Sequence, residues 1–342
     1  MAPPKRRRPT KAEVRRQSAI EFLFAVGAVL LILVSITAYS GVWPPMVVVE
    51  SGSMMHDNRN SALGVIDTGD LTLVKKTGSD FDVITYMQGM KTGYKTYGAF
   101  GDVIIYSKNG FSQVTPIIHR AITRIVLNET TKTSFDFPEL EQPLYDQTGR
   151  DLTGRAVPVP LGKMWTWDAS HPGGQEIDAT LDLATVITRM GGTLTGGILT
   201  KGDHNEAFDQ ERLNVGVSGH ANEPVRPVQQ QWIIGVARGE LPWFGLIKLF
   251  FGRPADEIPP NSQTNLIIAL AAIIVVPFAT EWAWDRYGDR VKSRVPAKWA
   301  AAYHGLFDKF PGGARRKRER EEMAADRARK QRRRGRHRSE EE

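Results

Sequence analysis

The sequence predicts a mainly β domain held between two membrane-spanning helices. Three observations predict it. Two long uncharged apolar stretches lie towards the ends of the 342-residue chain. Between them, short β-branched runs recur, separated by Gly, Asp and Asn turns, and helical periodicity is poor. Basic residues crowd outside the apolar stretches: 26 of the 45 Lys and Arg lie before Ile20 or after Glu281, which leaves the middle mildly acidic despite a formal net charge of +7.

Residues 1–19 are a basic N-terminus with Lys5, Arg6, Arg7, Arg8, Lys11, Arg15 and Arg16. Residues 20–42 are the first span. No charged side chain occurs from Phe22 to Val49, which suffices for a bilayer core of roughly 30 Å. Ala38 and Ser40 offer a small-x-small cleavage site, but the apolar run exceeds the roughly 7–15 residues of a signal-peptide core, so an uncleaved anchor is expected. Residues 259–281 are the second span, centred on Leu266 to Val276. Pro277 is tolerable in a membrane helix, and Trp282, Trp284 and Tyr287 form an interfacial aromatic belt. For each span the alternative is a buried core helix. Residues 282–342 are a basic tail. Basic flanks at both ends predict two cytoplasmic termini and an extracytoplasmic domain over 43–258.

Within that domain Val47 to Val49 read as a strand, because β-branched side chains suit a pleated surface. Gly52 then permits a tight excursion that leaves the Ser53 hydroxyl free. Asp70 to Lys76 alternates in the strand manner after a turn at Asp67-Thr68-Gly69. Gly101 to Tyr106 is a further strand, and Asn109-Gly110 after it is a hairpin signal. Pro116 to Val126, a small strand at Gly197 to Thr200, and Gln231 to Ala237 complete the set. The stretches of about 77–99 and 128–199, rich in Gly, Pro, Thr and Asp, read as insertions or loops.

The chain has no cysteine, which removes disulfides, thiolate metal sites and cysteine nucleophiles together. A hydroxyl nucleophile must therefore be Ser or Thr. Three features carry the required chemistry. Ser51-Gly52-Ser53 presents hydroxyls behind a strand, although such triplets are common surface turns. His119 lies in an apolar strand; it is either a structural histidine or a proton acceptor near neutral pH. Lys201 to Gln210 is dense in Asp and Asn, as turns are, and it also holds acids able to orient an imidazole. Hydroxyl, base and acid are the three parts of nucleophilic hydroxyl chemistry.

Taken in order, these pieces resemble a type I signal peptidase of the archaeal and endoplasmic-reticulum, histidine-containing branch. Ser51-Gly52-Ser53-Met54 resembles its nucleophile box. Gly69 to Val74 and Gly101 to Tyr106 resemble two strand boxes, Ile118-His119-Arg120 the histidine box, Lys201 to Asp209 the aspartate box, and Trp232 to Ala237 the closing strand. The resemblance covers the first anchor and the core of the external domain, and leaves out the insertions and the tail.

What the resemblance implies is a β-rich, partly barrel-like catalytic domain acting as a membrane-bound serine endopeptidase on secretory preproteins. Ser53 would be the nucleophile, His119 the base, Asp209 its orienting acid and Asp203 a supporting acid. The Ser53 N–H and the Ser51 hydroxyl would bind the oxyanion. No cofactor is implied. Partners would be signal-peptide-bearing preproteins, the lipid bilayer and the protein translocation channel. Specific nucleic acid is not expected, since nothing base-reading accompanies the basic tail, which suits lipid head groups. Two positions depart from the family pattern: His56 stands where proline is usual, and His204 where asparagine is common. His56, just after the serine, reads as a loop residue rather than the base. Leu241 to Phe251 is aromatic and apolar, and reads either as a segment dipping into the membrane interface or as core.

Overall fold

The computed structural model describes residues 11–79, 82–140, 144–155, 157–168, 171–191, 193–211, 223–252, 258–292 and 325. The basic ends 1–10 and 293–342, and the side chains of Trp284 and Tyr287, lie outside the described residues. Ile36–Ala271 forms one compact unit; the described residues of Met1–Ser35 and Ala272–Glu342 form another.

In chain order the elements are α1 (Lys11–Ser40), β1 (Met46–Val48), β2 (Leu71–Lys75), α2 (Tyr86–Thr92), β3 (Lys95–Thr96), β4 (Ala99–Phe100), β5 (Val103–Tyr106) and β6 (Ile117–Leu127). They continue with β7 (Ser134–Asp136), β8 (Tyr145–Asp146), β9 (Val159–Asp168), β10 (His171–Leu181), α3 (Leu183–Met190), β11 (Gly197–Lys201), β12 (Ile233–Leu241), α4 (Leu246–Phe251) and α5 (Pro260–Lys292). Each predicted strand is present to within a few residues.

Eight strands make one antiparallel sheet in the order β1-β2-β12-β5-β6-β7-β8, with β11 also paired to β6. The fold is therefore mixed α/β around an antiparallel sheet. The sheet is not a closed barrel: among the described residues β1 pairs only with β2, and β8 only with β7.

β5 explains why the sheet holds together. Its side chains alternate between faces, and both faces are covered. Val103 and Ile105 pack with Val49, Met54, Ile66, Val74 and Ala237, while Ile104 and Tyr106 pack with Val83, Ala121, Ile198, Val228 and Val236. Burying each such isoleucine contributes roughly 1.5–3 kcal/mol. β5 and β6 run antiparallel with Ile104 opposite His119, which brings the histidine strand onto this core.

The stretches read as loops hold ordered elements. α2 lies within 77–99 and begins with a capping box, in which Thr85 and Gln88 each satisfy the other's backbone N–H. α3 lies within 128–199; Asp182 caps it, and its buried face is Leu183, Val186, Ile187 and Met190. The same stretch contains the β9–β10 hairpin. These elements build the largest core cluster, with Ile122, Ile125, Phe135, Leu161, Met164 and Leu181. The expectation of poor helical order failed there: both helices are short and set in Gly-, Pro- and Thr-rich sequence, although α3 carries apolar residues at i, i+3, i+4 and i+7 between its caps.

The two apolar stretches are helical. Within α1 the apolar run is Ser18–Ser40, and within α5 it is Pro260–Thr280; the most apolar stretch of each is exposed, while Ser40 and Ser262 at their domain ends are buried. At 1.5 Å per residue they span about 35 and 32 Å, enough for a bilayer core. The exposed side chains rule out the buried-core-helix alternative for both. Leu241 ends β12, and the stretch that follows forms a short helix rather than a core strand: in α4, Leu246 and Leu249 are buried, while Ile247, Phe250 and Phe251 are exposed.

Candidate active site

The nucleophile turn is anchored from behind. Gly52 to Met54 form a 3₁₀ turn, closed by the Met55 N–H donating to the Gly52 carbonyl. Met54 and Met55 are each 1% exposed and pin the turn to the core, which leaves Ser53 half-buried at its tip. Gly52 is itself buried and opens this turn. The Ser53 hydroxyl is therefore engaged, rather than free at a strand end.

Its partner is His119. The Ser53 Oγ lies 2.9 Å from His119 Nε2, and His119 Nδ1 lies 2.6 Å from Asp209 Oδ2. A carboxylate only accepts, so Nδ1 carries the ring proton and Nε2 presents its lone pair to the serine O–H. Ser51 Oγ is 3.3 Å from Ser53 Oγ.

Asp209 sits in a 3₁₀ turn, Asp209–Glu211, after β11. Its neighbour Gln210 is fully buried and holds Thr200 twice, accepting from the Thr200 N–H and donating to its hydroxyl. This fastens the turn to β11. Asp209 Oδ2 then accepts from Thr200 Oγ1 at 2.6 Å and Tyr106 Oη at 3.0 Å as well as from His119. Burial pushes the Asp209 carboxyl up, but the His119 charge and these hydrogen bonds outweigh it, so the group is held below the usual carboxylate range. Burial, with the Asp209 charge beside it, pushes the Tyr106 phenol well up, which keeps it a donor.

Asp203 is not in this line. Arg120 donates Nε to Asp203 Oδ1 at 2.7 Å and Nη2 to Oδ2 at 2.6 Å. The Arg120 guanidinium also donates to the Thr96, Phe100 and Gly101 carbonyls, and the residue is 1% exposed. Burial raises the Asp203 carboxyl, but the Arg120 charge and the bonds from Arg120 and His56 pull it far below its ordinary value. His56 Nε2 bonds Asp203 Oδ2 at 2.9 Å. His56 is thus bonded to Asp203 and not to Ser53. His204 donates its N–H to the Ser53 carbonyl and meets the Met55 carbonyl through Nδ1.

The structure thus joins Ser51, Ser53, His119 and Asp209, and sets Asp203 beside them. Sequence reasoning assigned no role to Thr200, Tyr106, Arg120 or Gly202. The last is needed for close approach: a Cβ on Gly202 would stand 2.4 Å from the Ser53 carbonyl oxygen and 3.0 Å from His119 Nε2. Its signal was its place between the end of β11 and Asp203, at the start of the acid loop. Among the described residues, no group of three His, Asp or Glu side chains is arranged to hold a metal.

The chain matches no protein-family model, and no curated protein matches it.

Proposed function

We propose that the chain is a membrane-bound serine endopeptidase that removes signal peptides from secretory preproteins at the outer membrane surface. The observation that carries the hydrolytic reading is the aligned run Ser53 Oγ, His119 Nε2, His119 Nδ1, Asp209 Oδ2, with steps of 2.9 and 2.6 Å. His119 takes the Ser53 proton as Oγ attacks the scissile carbonyl. Asp209 holds the ring and offsets the imidazolium charge. The tetrahedral oxyanion is met by the Ser53 N–H and the Ser51 hydroxyl. His119 then returns the proton to the leaving amine, and water, activated by the same imidazole, releases the acyl group from Ser53.

Three features favour a membrane-held substrate. The motif order resembles signal peptidases. The apolar helices α1 and α5 flank the domain in sequence. α4, with Phe250 and Phe251 each 84% exposed, lies beside the strand that delivers Ser53, through a Leu246 N–H bond to the Gly69 carbonyl and a Lys248–Glu50 pair. The basic ends place both termini in the cytoplasm on this reading, with the translocation channel a partner in substrate delivery. The rival is an inactive membrane-tethered binding protein, in which Ser53 is a turn residue.

The test is preprotein cleavage by membranes carrying this chain, in a host depleted of its own signal peptidase. Ser53→Ala should abolish cleavage with expression intact. Undiminished cleavage by Ser53→Ala would move the assignment to the binding protein.

A further inference from the structure

His56 stands where the resembling family has proline. The preceding Met55 has φ −62° and ψ 148°, the conformation a following proline requires. The imidazole therefore earns its place through its side chain. One ring nitrogen bonds Asp203, whose charge Arg120 already offsets with two bonds. The His56 bond is thus not needed to neutralise a buried acid. What it does is tie the nucleophile turn to the acid loop.

The ring is itself held. The Trp165 indole lies against it, with ring centroids 3.8 Å apart and planes 32° apart. Trp165 belongs to β9, in the stretch outside the resemblance. Its backbone N–H donates to the Tyr86 hydroxyl at 2.8 Å, and Gly174 on the facing strand leaves room for the indole, since a Cβ there would stand 2.3 Å from it. Trp165, His56, Asp203 and Arg120 thus form a second line beside Ser53, His119 and Asp209. The two lines meet where Gly202 and the His204 N–H press on the Ser53 carbonyl.

Resting on the serine-peptidase reading above, we propose that Trp165 and His56 are positioning residues: the β9–β10 hairpin clamps the nucleophile turn onto the acid loop and keeps Ser53 Oγ within reach of His119. Neither residue touches the reacting atoms. The clamp acts on placement, where a shift of about 1 Å costs on the order of a hundredfold in rate. Trp165 is half-buried and outside the main core cluster.

The experiment uses the full chain in detergent and reads two rates: labelling of Ser53 by a fluorophosphonate, which needs no peptide, and preprotein cleavage. Trp165→Ala and His56→Pro should each slow labelling about ten- to a hundredfold, and lower kcat equally with KM within about twofold. Trp165→Phe should recover most of the rate. The double variant should be no slower than the slower single, because both act through one contact. Wild-type labelling rates in both single variants, or effects that multiply in the double, would overturn the clamp while leaving the nucleophile intact. If His56→Pro does not accumulate, the Trp165→Ala and Trp165→Phe pair decides. Labelling of Ser53→Ala as fast as the parent chain, or no labelling of the parent, would instead sink the serine reading and the clamp with it.

Discussion

Asp203 and Asp209 occupy the same loop and are almost equally buried, at 5% and 6% exposure, yet they face different basic side chains. Asp203 meets Arg120, and Asp209 meets His119, the residue before it in β6. Adjacent residues of a strand point to opposite faces, so one loop must send one acid to each side. Arginine stays protonated throughout the working range, so its pair with Asp203 is fixed and can only hold structure. His119, held by Asp209 through Nδ1, keeps Nε2 on Ser53 Oγ, which is the arrangement the proposed hydrolysis uses. The carboxylates are chemically alike, and the partner decides what each does.

The largest expected effect separates the two. Asp209→Asn keeps the shape but no longer fixes the His119 tautomer, and should lower kcat on the order of 10⁴-fold with the fold intact. Steady-state cleavage beside circular dichroism checks it. Activity within tenfold of the parent would remove Asp209 from the mechanism. Asp203→Asn should invert the pattern. It leaves the Arg120 charge buried without its counter-ion, a loss of about 3–5 kcal/mol in stability. Chemical denaturation of the variant should show that loss, with cleavage per folded molecule falling less than for Asp209→Asn. A stability change under about 1 kcal/mol would mean that the pair contributes little net stability.

A third set of buried acids sharpens the contrast. Asp67 and Asp70 are held by backbone N–H groups: Ala62 donates to Asp67, while Asp67 and Trp243 donate to Asp70. Burial dominates there, and pushes Asp67 up to about 6 and Asp70 up to about 7. Their folded values exceed the unfolded ones, so the stability they contribute is complete below about pH 4 and is lost as pH rises through 6 to 7. Asp203 and Asp209 have lowered values, and contribute stability above about pH 4 that is lost as pH falls below it. Denaturation midpoints should therefore decline from about pH 4 to 7 and level off above, and Asp67→Asn should flatten that decline by on the order of 3 kcal/mol. A slope unchanged by Asp67→Asn would place the titration elsewhere.

The strands were legible because β-branched runs between turn residues say locally what they are. Val103 to Tyr106 is continuous β-branched and aromatic residues, as a strand buried on both faces must be. Ser53 and His119 were singled out by residue type and order, and the structure brings them within hydrogen-bond reach. α3 was not read, although Asp182 and Gly191 bracket it and Leu183, Val186, Ile187 and Met190 fall at helical spacing, because it is one short helix inside a long stretch of turn-forming composition. Trp165 had no legible role, since nothing near it in sequence touches the site.

The sequence by itself determined the two apolar helices, the strand positions and the presence of a serine, a histidine and two acids in order, because each depends on neighbouring residues alone. Only the tertiary structure decided which acid meets which basic side chain, that Tyr106 and Thr200 hold Asp209, and that an inserted hairpin reaches His56. Those pairings join residues far apart along the chain. They follow from the register of β5, β6 and β11 and the path of the loop between Lys201 and Asp209, and no single segment encodes them.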